Sequence, residues 1–248
     1  MHFPVQIGWG AWVLDAHFVF ELLAYSAGFR YYLYLRKRQG DAISDEGRWW
    51  IFLAAVVGGL VGSRVVGFFE HPLTSNPAEW AYRMLSSKTI LGGLLGGLVA
   101  IEITKKRLGI TTSSGDLMTY PIILGMAIGR AGCFLAGLND GTYGVATTLP
   151  WGIDLGDGIS RHPTSLYEIL FLIILGLALY LLERRYSLQD GARFKLFLAS
   201  YLVFRFAIDF LKPAYPILFY LTSVQVAALC GVVYYRNVFI RPLRLISQ

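Results

Sequence analysis

Five largely apolar stretches, at 49–69, 117–138, 166–182, 194–211 and 217–235, decide most of what this chain can fold into. Each is near the ~17–25 residues that a helix needs to span about 30 Å of hydrocarbon. A soluble domain of 248 residues could bury a large core, but it could not cover this much apolar surface. Composition agrees: 55% of residues are hydrophobic and 15% charged, against roughly a quarter charged in soluble proteins. Two further runs, 16–35 and 90–103, complete a set of seven expected spans. The expected fold is all-α, a polytopic membrane protein forming a single transmembrane domain over residues 1–248. The residues up to Asp15 show no basic leader and no small-residue cleavage site, so no cleavable signal peptide is expected.

The net charge of +6 does not point to nucleic acid, because the basic residues sit in short loops at helix ends. Loops 36–48, 104–116 and 183–193, with the tail after Tyr235, hold thirteen Lys and Arg. The opposite loops hold only Arg83, Lys88, Arg161 and Lys212. Basic residues accumulate on the cytoplasmic side, so the N-terminus is expected outside and the C-terminus in the cytoplasm of a bacterial inner membrane. The outward segment 139–165 is the longest loop and is rich in Gly, Asp, Thr and Pro. Its length exceeds that of a simple connector, and it is expected to line or cover a site.

Arg64, Arg130 and Arg205 lie inside apolar runs, where an arginine at the bilayer centre costs about 2.5–3.5 kcal/mol on insertion scales. Counted from the outer ends of their runs, all three start roughly 8–12 Å below the boundary at about 1.5 Å per residue. Three cations at one depth make a site for an anion such as a lipid phosphate. The bland alternative is snorkelling for Arg64 and Arg205, and Asp209 at i+4 could neutralise Arg205.

Around Arg130, the small residues Gly129, Gly132, Cys133, Ala136 and Gly137 recur at helical spacing. They form either a helix-packing seam or one wall of a polar cavity. Arg161-His162-Pro163-Thr164-Ser165-Leu166-Tyr167-Glu168 reads as a helix start, with Pro163 in the first turn and Glu168 completing an acidic first turn. His162 is a catalytic candidate or an exposed interfacial residue. His2, His17 and His71 lie at the tail or at interfaces and are read as bystanders. Cys133 and Cys230 have no metal-ligand spacing, and no disulfide between them is expected. Cys133 is either a reactive thiol lowered in pKa by Arg130 or a small buried apolar residue. No metal or organic cofactor is expected.

Taken in order, these motifs resemble the prolipoprotein diacylglyceryl transferase family over nearly the whole chain. The matching blocks are Tyr25-Ser26-Ala27-Gly28-Phe29, Gly59 to Arg64, Gly92-Gly93-Leu94, and Gly129-Arg130-x-Gly132-x-Phe134-x-x-Gly137. The blocks at 161–168, Tyr201-x-x-Phe204-Arg205-x-x-x-Asp209-Phe210 and Gln225 follow. The resemblance implies transfer of a diacylglyceryl group from phosphatidylglycerol, or another anionic phospholipid, to the cysteine thiol of a lipobox-bearing precursor. Glycerol phosphate leaves. Arg130, Arg205, His162, Tyr25 and Asp140 are then the expected catalytic residues. Arg64, Cys133, Gly144, Arg161, Tyr167, Glu168, Tyr201 and Asp209 are the expected substrate-binding residues. Partners are membrane lipids and the precursor.

The chain departs from the family pattern at several places. Leu91 stands where the family has a histidine before its paired glycines. Cys133 and Ala136 replace asparagines, and Ser165 stands where glutamine is common. After Gly137 the family's glutamate and aromatic-glycine pair meet Leu138 to Gly144 with an apparent insertion, where Asp140 could replace the glutamate. Losing the histidine removes the obvious base, and His162 or Asp140 could take its place. A transferase of the same scaffold with a different acceptor or head-group chemistry, and a non-catalytic anionic-lipid binding or transport protein, are the alternatives.

Overall fold

The structure is a computed structural model that describes residues 3–9, 12–70, 76–213 and 215–246. His2 and His71 lie outside the described residues. In chain order come β1 (Gln6–Trp9), β2 (Trp12–Asp15), α1 (Ala16–Gln39), α2 (Asp45–Phe68), α3 (Pro77–Ser86) and α4 (Ile90–Leu108). They continue with α5 (Asp116–Ala136), β3 (Ile153–Asp154), β4 (Ser160–Arg161), α6 (Thr164–Arg185), α7 (Ala192–Ile208), α8 (Ser223–Tyr234) and α9 (Arg236–Ile240). The protein is mainly helical, and a helix occupies each of the seven expected positions. Among the described residues, α2, α5 with its 3-10 extension to Asp140, and α6 are each long and apolar enough to cross a membrane. The end of α3 and α4 pass that test together, as a pair bent by 78°. Only 11% of the apolar window of α2 is buried, which leaves its side chains to lipid.

Two expectations shift. Helix α3 was not foreseen as a separate element; it exposes Trp80, Tyr82 and Leu85. The last apolar run is helical only from Ser223, because Leu218 and Leu221 pair in a turn with Phe219 and Tyr220 at positive φ. A capping box at Thr222 and Gln225 then starts α8 by satisfying its first N–H groups.

The chain folds as two compact units. The first takes the described residues of Met1–Gly40, Leu117–Ser187 and Phe210–Pro213. In it β1 pairs antiparallel with β2, and α1 begins at once, its first turn capped by Asp15 accepting from the His17 N–H at 2.8 Å. Gly28, Gly125 and Gly132 let α1 and α5 approach closely: a Cβ at Gly132 would sit 2.7 Å from Phe20. Leu172, Leu175 and Leu179 of α6 are buried in the same unit. Segment 139–165 is ordered by the short β3–β4 ladder and by Asp154, whose Oδ1 accepts from the N–H groups of Gly156, Asp157 and Gly158.

The second unit takes the described residues of Asp41–Asp116, Leu188–Asp209 and Ala214–Gln248. Here α2 lies along α4, with Gly58 and Gly62 against Gly92 and Gly96; a Cβ at Gly62 would come within 2.7 Å of the Gly96 Cα. Helix α7 packs on α8 around fully buried Phe197, Tyr201 and Leu202. Its first N–H groups, at Gly191 and Phe194, donate to the carboxylate of Asp116 at 2.6 and 2.9 Å.

Candidate active site

In the first unit the last turns of α5 carry Arg130, which is 4% exposed. Its Nε lies 2.9 Å from Oε2 of Glu168, itself 1% exposed. Helix α6 starts at Thr164, so Glu168 sits one turn inside the helix and not in its first turn as expected. That shift turns it from a partner of the helix dipole into the partner of Arg130. Burying two charges costs several kcal/mol per ion, repaid only by good geometry and further hydrogen bonds. A pair held this way fixes the direction of the guanidinium. Arg130 Nη1 also reaches Cys133 Sγ at 3.5 Å.

Beside this pair lies a small, partly open cavity. Cys133, Phe134 and Gly137 form its α5 side; Thr142, Tyr143, Ile153 and Leu155 come from segment 139–165, and residues 161–165 close it. Several site residues expected from sequence therefore meet around one space. Arg161 binds Asp157 at 2.6 Å and lies over the Tyr143 ring at 5.0 Å. The hydrogen bond from Arg161 holds the Asp157 carboxyl below the ordinary carboxylate range. His162 Nδ1 is 3.2 Å from the Tyr167 hydroxyl, which accepts from Trp151 Nε1 at 2.8 Å. Gly144 allows a close approach: its N–H donates to the His162 carbonyl at 3.2 Å, and a Cβ there would meet the His162 Cβ at 2.6 Å.

Asp140 ends the 3-10 turn that follows α5, and Thr142 Oγ1 donates to its Oδ2 at 2.5 Å. Its Oδ1 stands 3.6 Å from Nδ1 of His17. His17, read from sequence as a bystander, belongs instead to this group. No sequence signal could have found it, since the contact depends on how α1 packs on α5. Tyr25, expected to be catalytic, is 69% exposed on α1, with its hydroxyl 3.4 Å from Glu21 and outside the cavity lining.

The second unit holds Arg205, also 4% exposed, with Asp209 Oδ1 at 3.7 Å. Asp209 accepts from the Thr222 hydroxyl, and Gln225 Nε2 donates to the Phe206 carbonyl at 3.4 Å. Tyr201 is fully buried and stacks on Phe197 at 6.1 Å, which ties it to the packing of α7. Arg64 is half-buried, and its Nη1 donates to the Ser87 carbonyl at 2.8 Å just after α3. Leu91, at the place of the family histidine, is fully buried.

Comparison with known proteins bears on this geometry. Residues 5–240 match the family described as prolipoprotein diacylglyceryl transferase. Similar proteins named phosphatidylglycerol–prolipoprotein diacylglyceryl transferase include one from Methylobacillus flagellatus, 33% identical over 68% of this chain and 64% of its own length. One from Wolbachia pipientis wMel is 33% identical over 79% and 78%, and one from Solidesulfovibrio magneticus 29% over 88% and 84%. The chain thus spans just under two thirds of the first relative and more of the other two. With the match running from β1 to α9, the chain belongs to the prolipoprotein diacylglyceryl transferase family.

Proposed function

We propose that this protein transfers the diacylglyceryl group of phosphatidylglycerol to the thiol of a lipobox cysteine in a precursor protein. The thiol sulfur forms a bond to the glyceryl carbon, the carbon–oxygen bond to phosphate breaks, and glycerol phosphate leaves with the electron pair. The observation that carries this reading is the buried Arg130, paired with Glu168 and reaching Cys133 of the cavity lining at 3.5 Å, on a chain of this family. Arg130 holds the phosphate, with Arg161 at the cavity; the family resemblance assigns Arg205 and Arg64 to phosphate binding as well. Guanidinium donors contribute most where charge develops on the leaving phosphate. His162 and Tyr167 order the site, and Tyr25 meets substrate from the exposed face of α1. Segment 139–165 covers the site on the outward side of a seven-span path, N-terminus outside, C-terminus cytoplasmic, in the bacterial inner membrane. Phosphatidylglycerol enters from that membrane, and the acceptor arrives from the outer face.

The test is release of glycerol phosphate from labelled phosphatidylglycerol by the purified protein, with and without a lipobox peptide. Release should require the peptide and give its cysteine a diacylglyceryl mass gain. Arg130→Ala and Arg205→Ala should each lower turnover by about 100-fold or more, the scale of a lost transition-state donor. Unchanged turnover in both would remove the clamp, and no release by the wild type would remove the reaction.

A further inference from the structure

We propose that His17, Cys133 and Asp140 form a three-ligand Zn²⁺ site whose fourth position takes the acceptor thiol. The role assigned to the metal rests on the transfer proposed above; the site itself does not. The three residues come from the first turn of α1, the last turn of α5 and the 3-10 turn after it. Their ligand atoms all lie within 4.8 Å of one another, with His17 Nδ1 and Asp140 Oδ1 at 3.6 Å. Zn²⁺ bonds of about 2.0–2.3 Å in a tetrahedron place ligand atoms roughly 3.3–3.6 Å apart, so a small inward movement completes the site.

Three details favour a metal over an ordinary ion pair. The Nδ1 atom of His17 is buried and has no hydrogen-bond partner among the described residues, and 3.6 Å to Asp140 is too long for one. The other groups of the cluster are oriented from outside. Thr142 holds Oδ2 of Asp140, leaving Oδ1 towards His17, and Arg130 Nη1 approaches Cys133 Sγ. The charges also close: one thiolate, one carboxylate and a neutral imidazole balance a dication. Mixed sulfur, nitrogen and oxygen ligands suit Zn²⁺ and not Mg²⁺ or Ca²⁺.

Three protein ligands leave a coordination position open for substrate. Cys133 also lines the cavity, so a metal on its sulfur stands at the cavity wall. A thiol that coordinates Zn²⁺ is deprotonated, and the thiolate is the nucleophile. The acceptor cysteine would lose its proton to water, and its sulfur would then attack the glyceryl carbon as the bond to phosphate breaks, with no redox change. This supplies what the family histidine would have supplied at the position now filled by Leu91, buried and apolar.

The experiment strips the purified full-length protein, free of any histidine tag, with a chelator and titrates it with Co²⁺ and then Zn²⁺. One Co²⁺ should bind per chain, with the visible bands of a four-coordinate ion and a near-ultraviolet thiolate band, and Zn²⁺ should displace it. Cys133→Asn, which restores the family residue and should keep the fold, must abolish the thiolate band. His17→Ala and Asp140→Ala should weaken binding beyond the about 10–100-fold that loss of an outer partner costs. A lipobox peptide should shift the visible bands, and its serine version should not. Absence of stoichiometric binding, or a spectrum indifferent to these substitutions, overturns the site; an unshifted spectrum with peptide overturns its role. Full-rate transfer by metal-free protein overturns the role and leaves the transferase reading standing. Metal binding by a protein that never releases glycerol phosphate leaves the site standing and ends that reading.

Discussion

Arg130 and Glu168 are 4% and 1% exposed and 2.9 Å apart, so each is the main reason the other can stay charged away from water. Such a pair is a poor device for stability, since apolar residues of similar volume often do as well or better. Its value lies in where it aims the guanidinium. Glu168→Gln should leave an uncompensated buried cation and lower stability by about 3–5 kcal/mol, read as a drop in melting temperature in detergent. The double change Arg130→Met with Glu168→Leu should recover most of that loss and still transfer no lipid. If the double variant retained turnover, the pair would be structural only. The cost of a charge in an apolar run is what made Arg130 and Arg205 legible from sequence. Their partners were less so: Glu168 was assigned to a helix dipole because the first turn of α6 was taken to run from Pro163 as far as Glu168, and Asp209 was found by its i+4 spacing. The place of His17 beside Asp140 depends on a packing contact that no local pattern encodes.

Glycine spacing acts at the scale of the helix pair. In the second unit α2 and α4 approach so closely that a Cβ at Gly62 would lie 2.7 Å from the Gly96 Cα and also meet the Gly92 carbonyl oxygen. At Gly59, three residues earlier on the same helix, a Cβ would stand 3.5 Å from the Gly93 carbonyl, an ordinary contact. Gly62→Val should therefore destabilise by about 1–3 kcal/mol through overpacking. Gly59→Ala should change stability by less than about 0.5 kcal/mol. Thermal melts of the two variants in one detergent check this, and equal effects would refute close packing through Gly62. The apolar runs and these paired glycines were readable because lipid demands continuous helices and close helix contacts demand small residues. The separate α3 was not, because ten residues with exposed Trp80, Tyr82 and Leu85 resemble a loop in a hydropathy reading. The turn at Leu218–Leu221 was hidden for the opposite reason: its residues are as apolar as the helix that follows.

For the whole chain, charge placement carries the orientation. Thirteen basic residues fall on one set of expected loops and four on the other, and the proposed orientation follows from this bias under the positive-inside rule. The functional reading depends on it. Cys133, Asp140 and the cavity lining lie at the end of α5 that the bias assigns to the outer side, where an exported precursor would present its cysteine. Had the bias been reversed, the same cavity would open to the cytoplasm and an exported acceptor could not reach it. Single cysteines placed on a Cys230→Ser background test the arrangement: Thr148→Cys in the exposed part of segment 139–165, and Lys106→Cys, exposed in the last turn of α4. Cys133 is buried and should stay unlabelled. In intact spheroplasts, a membrane-impermeant thiol reagent should label Thr148→Cys nearly completely. Lys106→Cys should react only after the membrane is opened. The reverse pattern would place the cavity on the cytoplasmic side and remove transfer to an exported precursor as its function. Labelling of both in intact cells would mean that the path between them does not cross the bilayer an odd number of times, which a span formed by α5 requires.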